Sequence, residues 1–153
     1  MDMASVEELT SRVGEHLGTS SWERITQEDV NTFAKATRAN EWIHVDEERA
    51  RGGPFGTTVA HGYLTLSLAT RFVTELLSDK EGWVGVNYGL DKVRFPAPVP
   101  VGSRVRASGQ LIAATPAPDG VRTTVQLTYE VEGGTKPPCV AEVVSLVVDD
   151  DRQ

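Results

Sequence analysis

The sequence lacks the features that mark several large classes of protein. Its 153 residues include one cysteine, Cys139, which excludes an intrachain disulfide and a cysteine-based zinc cluster and suits a reducing cytoplasm. None of the three histidines lies at metal-ligand spacing to another, so we predict neither a metal site nor a cofactor. Residues 1–18 are polar and acidic, without the apolar segment of an export signal, and no apolar run is long enough to span a bilayer.

Positive charge is also scarce. Lysine and arginine number 15 against 22 acidic residues, which gives a net charge of -7, and the basic residues form no cluster. Nucleic acids and anionic membranes reward clustered cationic side chains, so we exclude both as main partners. The length suits one domain, and the sequence contains no internal repeat or low-complexity segment.

The most informative stretch is residues 59–77, with the sequence VAHGYLTLSLATRFVTELL. From residue 63 to residue 77 it contains neither glycine nor proline, and its apolar residues occupy most of a helical wheel. A helix that is apolar on nearly all sides is a buried helix. We therefore predict a helix over residues 61–78 that the rest of the chain must enclose.

The chain before this stretch reads as short helices. An apolar stripe predicts a helix over residues 6–17, within an N-terminal helical extension that covers residues 1–20. Thr26, followed by acidic residues, predicts a helix that ends near residue 38, with Val30, Phe33, Ala34 and Thr37 on its inner face. We predict an irregular segment over residues 39–45, and Asp46 as the cap of a short helix over residues 47–51.

The chain after residue 82 alternates apolar and polar residues and is rich in β-branched side chains, which predicts strands. The predicted strands cover residues 84–95, 103–115, 121–131 and 140–148. A glycine and proline turn over residues 116–120 indicates a hairpin, so the sheet should be antiparallel. One long central helix wrapped by such a sheet is the α+β hot-dog arrangement, and we predict a single domain of this kind over residues 21–153.

Few side chains are candidates for chemistry. His44 follows Trp42 and Ile43, a setting that, taken alone, is more typical of a packed, hydrogen-bonded histidine. Gly62 lies at the start of the central helix, where a free amide can bind a carbonyl oxygen or an anion. Cys139 has no adjacent base and Ser67 lacks the pattern of a nucleophile, so we interpret both as packing residues.

Several separated motifs occur in the order typical of one family. They are FAKAT at residues 33–37, WIHVD at 42–46, GPFGTTVAHGYLTLS at 53–67 and RFPAPVPVG at 94–102. Over about residues 21–148, this pattern resembles the MaoC-type dehydratases, which include the (R)-specific enoyl-CoA hydratases, or hydratase 2 family.

The resemblance implies a usually dimeric hot-dog protein that acts on acyl thioesters of coenzyme A or of a carrier protein. In the family, an aspartate and a histidine activate a water, and a glycine amide at a helix start holds the thioester oxygen. By resemblance, the histidine is His44 and the glycine is Gly62. We predict a homodimer, and the predicted substrate-binding residues are Trp42, Phe55, Gly56, Ala60, His61 and Tyr63.

The family's aspartate is absent. The family segment reads Gly-Asp-x-Gln-Trp-x-His, whereas this chain has Arg38 and Ala39 in place of the first two residues. Three interpretations stay open: Glu41 supplies the carboxylate, His44 works alone or with Asn40 on a related reaction, or the chain is a non-catalytic subunit or binding protein. We favour an enzyme with chemistry centred on His44, for which hydration or dehydration is the default reaction.

Overall fold

The computed structural model describes residue 1 and residues 3–77 and 82–149. The helices are α1 (Met3–Ser11), α2 (Gln27–Thr37), α3 (Trp42–Val45), α4 (Glu47–Arg51), α5 (Gly62–Ser67) and α6 (Ala69–Leu77). The strands are β1 (His16–Thr19), β2 (Glu23–Arg24), β3 (Trp83–Arg94), β4 (Arg104–Ala117), β5 (Gly120–Val131) and β6 (Val140–Asp149). No helix in this described part of the chain is long and apolar enough to cross a membrane.

The strands form one antiparallel sheet in the order β1-β4-β5-β6-β3, and β2 also pairs with β4. The four long strands agree with the prediction to within two residues at each end. The sheet and the helix that it covers confirm the α+β hot-dog fold. The sequence analysis missed β1 and β2, which are too short to show a clear alternation.

The central helix is present but divided. The predicted single helix over 61–78 is two helices, α5 and α6, which meet at Leu68, and residue 78 lies outside the described residues. The amide of Leu68 donates to Thr65 three residues back, and this tighter turn separates the helices. Phe72 is fully buried in the main core, whereas Tyr63 is 74% exposed. The helix is thus enclosed over α6 and open at its first turn.

The N-terminal prediction was wrong beyond residue 11. Helix α1 ends at Ser11, and residues 16–19 form a strand on β4 instead of a helix. The reason is a turn at Gly14, which has a φ of 93° and donates its amide to the carbonyl of Leu111 at 2.7 Å. Leu9 is fully buried in a small cluster with Val121 and Val147.

The predicted helix caps are confirmed. Thr26 and Asp29 form a capping box at the start of α2, and Asp46 accepts the amide of Arg49 at 3.0 Å. Two details differ from the prediction. Thr37 is exposed and is not part of the inner face, and residues 42–45 of the predicted irregular segment form the short helix α3.

Strand β3 is an unusual edge of the sheet. It pairs only with β6, so its other side has no strand partner among the described residues. Four of its large apolar side chains are between 41% and 60% exposed: Val84, Val86, Tyr88 and Leu90. A long, apolar and unpaired edge is a surface on which another strand can add.

Candidate active site

Two segments that are distant in sequence run side by side at the start of α5. The amide of Val59 donates to the carbonyl of Ile43 at 3.0 Å, and Nδ1 of His44 is 2.7 Å from the carbonyl oxygen of Val59. Val59 also forms an isolated antiparallel β-bridge with Pro100, and the amide of Ala60 donates to the carbonyl of Val99 at 2.8 Å. The backbone therefore anchors the His44 segment to the chain that leads into Gly62.

The two histidines of these segments stack on each other. The imidazole rings of His44 and His61 have centroids 3.8 Å apart and planes inclined by 27°. The ring of Phe33 also contacts His61, and the centroids of these two rings are 5.0 Å apart. Nε2 of His61 is 2.8 Å from the carbonyl oxygen of Ala39. His61 thus joins α2, the segment around residue 39 and the start of α5.

The hydrogen bonds determine which ring nitrogens carry protons. A carbonyl oxygen only accepts, so Nδ1 of His44 carries the proton that Val59 receives, and Nε2 of neutral His44 keeps a free lone pair. By the same reasoning, His61 carries its proton on Nε2, and its buried Nδ1 has no hydrogen-bond partner among the described residues. The packed-histidine interpretation explains Nδ1 of His44 but assigns no role to Nε2.

The surroundings of His44 favour the neutral ring. Burial lowers its pKa below the usual histidine value, and the neighbouring His61 acts in the same direction. The hydrogen bond to Val59 and the charge of Glu41 oppose these effects without reversing them. His44 is therefore suited to accept a proton at neutral pH.

Glu41 completes a cluster of ionisable groups. One potential ligand atom from each of Glu41, His44 and His61 lies within 4.8 Å of those of the other two. A ring nitrogen binds a metal along its lone pair, in the plane of the ring, and two stacked rings keep their lone pairs in two separate, nearly parallel planes. The arrangement suits proton transfer better than shared metal binding. Asn40 is exposed and, in the described part of the chain, makes no hydrogen bond to either histidine.

Gly62 is the first residue of α5, so its amide has no partner within the helix. The ring of Phe95 lies against Gly62, so closely that a Cβ atom at this position would be 3.3 Å from the ring. Phe55, Ala60 and Gly62 line one open groove of about 290 Å³, together with Thr65, Phe95, Pro96, Ala97, Pro98, Val99 and Pro138. The sequence analysis singled out the first three and missed Phe95 and the proline segment.

The other predicted substrate-binding residues are more scattered. Tyr63 lines a second pocket of about 410 Å³ between the central helices and β3. Trp42 is half-buried under the guanidinium of Arg49, 4.4 Å from the ring centroid, and does not line either pocket. Gly56 is exposed and lines neither pocket, and its φ of 69° is a left-handed conformation that favours glycine at a turn.

The sequence pattern of the MaoC like domain matches residues 8–133 of this chain. The chain belongs to the MaoC-like family. It is 54% identical over 141 residues to 3-hydroxyacyl-thioester dehydratase Z of Mycobacterium tuberculosis strain H37Rv, which covers 92% of this chain and 93% of that relative. It is 38% identical to nodulation protein N of Rhizobium leguminosarum bv. viciae, over 96% of this chain and 93% of the relative.

Solved structures agree with this MaoC-like assignment. The (R)-hydratase from A. caviae involved in PHA biosynthesis superposes with a TM-score of 0.71 at 24% identity, over 88% of this chain and 95% of that chain. At that identity the likeness establishes the fold alone. The family match over residues 8–133 and the 54% identical relative confirm the family resemblance inferred from the separated motifs.

Proposed function

We propose that this MaoC-like protein is a hydro-lyase that adds water to, or removes it from, an acyl thioester of coenzyme A or a carrier protein. The observation that carries the proposal is the His44 ring, which stacks on the residue that precedes Gly62 while its Nε2 keeps a free lone pair. The name of the 54% identical relative, 3-hydroxyacyl-thioester dehydratase Z, supports the same class of reaction.

In the proposed hydration, the thioester oxygen binds the Gly62 amide, which stabilises the negative charge that develops on it. His44 accepts a proton from water at Nε2 while the water oxygen bonds to the β-carbon of the double bond. The α-carbon of the resulting enolate then takes the proton from His44, which restores the neutral imidazole and yields the 3-hydroxyacyl thioester. Dehydration follows the same steps in reverse. The groove beside Gly62 and Phe95 gives the thioester arm a place to lie.

The family's second catalytic group needs a substitute, because Ala39 has no ionisable side chain. We propose Glu41, whose carboxylate lies within 4.8 Å of the two histidines and whose charge already acts on His44. Asn40 can polarise water but cannot exchange a proton with it, so we place it second. Trp42, Gly56, His61 and Tyr63 remain proposed substrate contacts, with weaker support than Phe55 and Ala60, which line the groove beside Gly62.

The test is turnover of crotonyl-CoA and of longer enoyl-CoA substrates by His44→Ala. We expect a loss of about 10²–10⁴-fold in kcat, which is typical of a removed acid–base group. His16→Ala is the matched control, since His16 is exposed on β1 and should leave kcat unchanged. Full activity of His44→Ala on a turned-over substrate would show that the chemistry lies elsewhere.

We also propose a homodimer that forms along β3. The supporting observation is the exposed apolar row of that unpaired edge, which a second copy can cover by antiparallel pairing. Val86→Lys should weaken the dimer in light scattering, because it places a charge on the 50% exposed Val86. Ser108→Lys on β4 is the control away from that edge. A monomer at micromolar concentration in the unaltered protein would contradict the proposal.

A second candidate function follows from Ala39. A chain without the family's aspartate could instead be the non-catalytic subunit of a mixed dimer, held to an active partner through β3. The observation in its favour is the combination of Ala39 with an exposed edge strand. Turnover by the purified chain alone distinguishes the two, since a non-catalytic subunit shows none.

A further inference from the structure

His61 is the least exposed of the three residues in the ionisable cluster, and the proton-transfer scheme above gives it no step. Its side chain is 5% exposed and combines a ring face on His44, an N–H directed at Ala39 and an aromatic contact to Phe33. A histidine needed only to fill space would be replaceable by any apolar residue of similar size. Here one ring face contacts His44, the catalytic candidate, while the N–H and Phe33 hold the His61 ring itself.

On the basis of the function proposed above, we propose that His61 is a positioning residue that holds the His44 imidazole, with its free Nε2, beside the Gly62 amide.

The geometry gives His61 this role in two steps. Its hydrogen bond to the Ala39 carbonyl and its contact with Phe33 fix the plane of its own ring. The stacked His44 ring is then confined between that plane and the carbonyl of Val59, which it meets through Nδ1. Rotation of His44 would require both contacts to break. The ring therefore keeps one orientation, as acid–base catalysis requires.

The same position links His44 to the thioester site. His61 immediately precedes Gly62, and its carbonyl accepts the amide of Thr65 at 3.0 Å in the first turn of α5. A shift of the His61 backbone would move the Gly62 amide, and a shift of its ring would move His44. One residue thus sets the relative placement of the two groups that act on the thioester.

The test compares three variants at one position. His61→Phe keeps a ring for His44 but has no N–H for Ala39, His61→Gln keeps a donor without a ring, and His61→Ala keeps neither. We expect His61→Ala to lower kcat by about 10-fold or more with little change in KM, within the range for misplaced catalytic groups. His61→Phe should recover only part of this loss, because it keeps the stacked ring but not the hydrogen bond to Ala39 that fixes it, and His61→Gln should recover little. Full recovery by His61→Phe would show that His61 only fills space and would overturn the proposal, as would recovery by His61→Gln and not by His61→Phe.

A second readout does not depend on turnover. NMR titration of the ring signals of His44 reports its pKa, to which the ionisable neighbours Glu41 and His61 contribute along with burial. We expect this pKa to rise toward the usual histidine value in His61→Ala, because water enters the vacated space, and to stay lowered in His61→Phe. An unchanged pKa and an unchanged kcat in His61→Ala would reject the positioning role.

The two readouts separate this proposal from the proposed function. If the unaltered protein turns over no enoyl thioester but the His44 pKa responds as described, the hydro-lyase proposal fails and the positioning of His44 by His61 stands. If the protein is active and His61→Ala changes neither quantity, the opposite holds. Circular dichroism of each variant establishes that it is folded before either readout is interpreted.

Discussion

The two segments that meet at the site differ in how firmly the fold holds them. Residues 58–61 are buried and bonded to both the α3 segment and the segment around Pro100. Residues 38, 40 and 41 are exposed, and Arg38 has a φ of 62°, a left-handed conformation that favours glycine. Three residues depart from the family pattern, Arg38, Ala39 and Glu41, and all of them lie in this second segment. A substitution there changes chemistry at little cost to folding.

The largest effect should come from restoring the family pattern to the exposed segment. We expect Ala39→Asp combined with Arg38→Gly to raise the hydration of crotonyl-CoA by about 10²-fold, because the new carboxylate adds an acid–base group. Initial rates of water addition, followed by the loss of enoyl-thioester absorbance, measure it.

The control places at position 39 a side chain with the shape of aspartate but without its acid–base chemistry. Ala39→Asn with Arg38→Gly places a side chain of the same shape that cannot exchange protons, and it should leave the rate near that of the unaltered chain. An equal rise in both double variants would mean that the glycine, and not the carboxylate, limits the reaction. No rise in the hydration rate of either double variant would show that the site no longer supports hydration, even with the family's aspartate restored.

A smaller loss of activity is expected when Glu41 is substituted, since Glu41 is exposed but its charge acts on His44. Glu41→Gln should lower kcat by roughly 10-fold, which is a smaller loss than the removal of a dedicated, buried acid–base group causes. Because the charge of Glu41 raises the His44 pKa, its removal lowers that pKa further, so the acidic fall in activity should move to lower pH. A pH profile of kcat/KM measures the shift.

Glu47→Gln provides the comparison for Glu41, since Glu47 is an exposed acid in the first turn of α4. It should change neither kcat nor the pH profile. If Glu41→Gln behaves in the same way, His44 works without this carboxylate, and the substitute-acid part of the proposed function is wrong.

The smallest effect concerns stability at the end of α2. Arg38→Gly should stabilise the protein by about 1 kcal/mol, because glycine adopts the left-handed C-cap conformation without strain. Lys35→Gly, three residues earlier and inside the helix, should destabilise it by about 1 kcal/mol. Urea unfolding of the two variants tests the pair, and effects of the same sign would contradict the strain at Arg38.

Much of the fold was predictable because its signals are local and periodic. The alternation of β3 to β6 and the caps at Thr26 and Asp46 gave elements close to those observed. The central helix was also predicted, but not its division at Leu68. That break is one tighter turn, in which the amide of Leu68 donates to Thr65, and no proline in the sequence marks it.

The site was predictable in part, through the family motifs. They predicted roles for His44 and Gly62, but the stacking between His44 and His61 depends on a tertiary approach that a sequence does not display. The same holds for Phe95, which lies against Gly62 from a distant strand end. The strand His16–Thr19 was missed because four residues with one glycine carry too short a pattern.

Helix α1 has a practical consequence for anyone who engineers this chain. Its Leu9 is fully buried against Val121 and Val147, in the middle strands of the sheet, and lines a small cavity with Trp83. A truncated protein that begins at β1 would lose Leu9 and expose the apolar side chains of Val121 and Val147 to water. Affinity tags are better fused ahead of the helix than exchanged for it, and libraries of truncations should treat residue 9 as part of the domain.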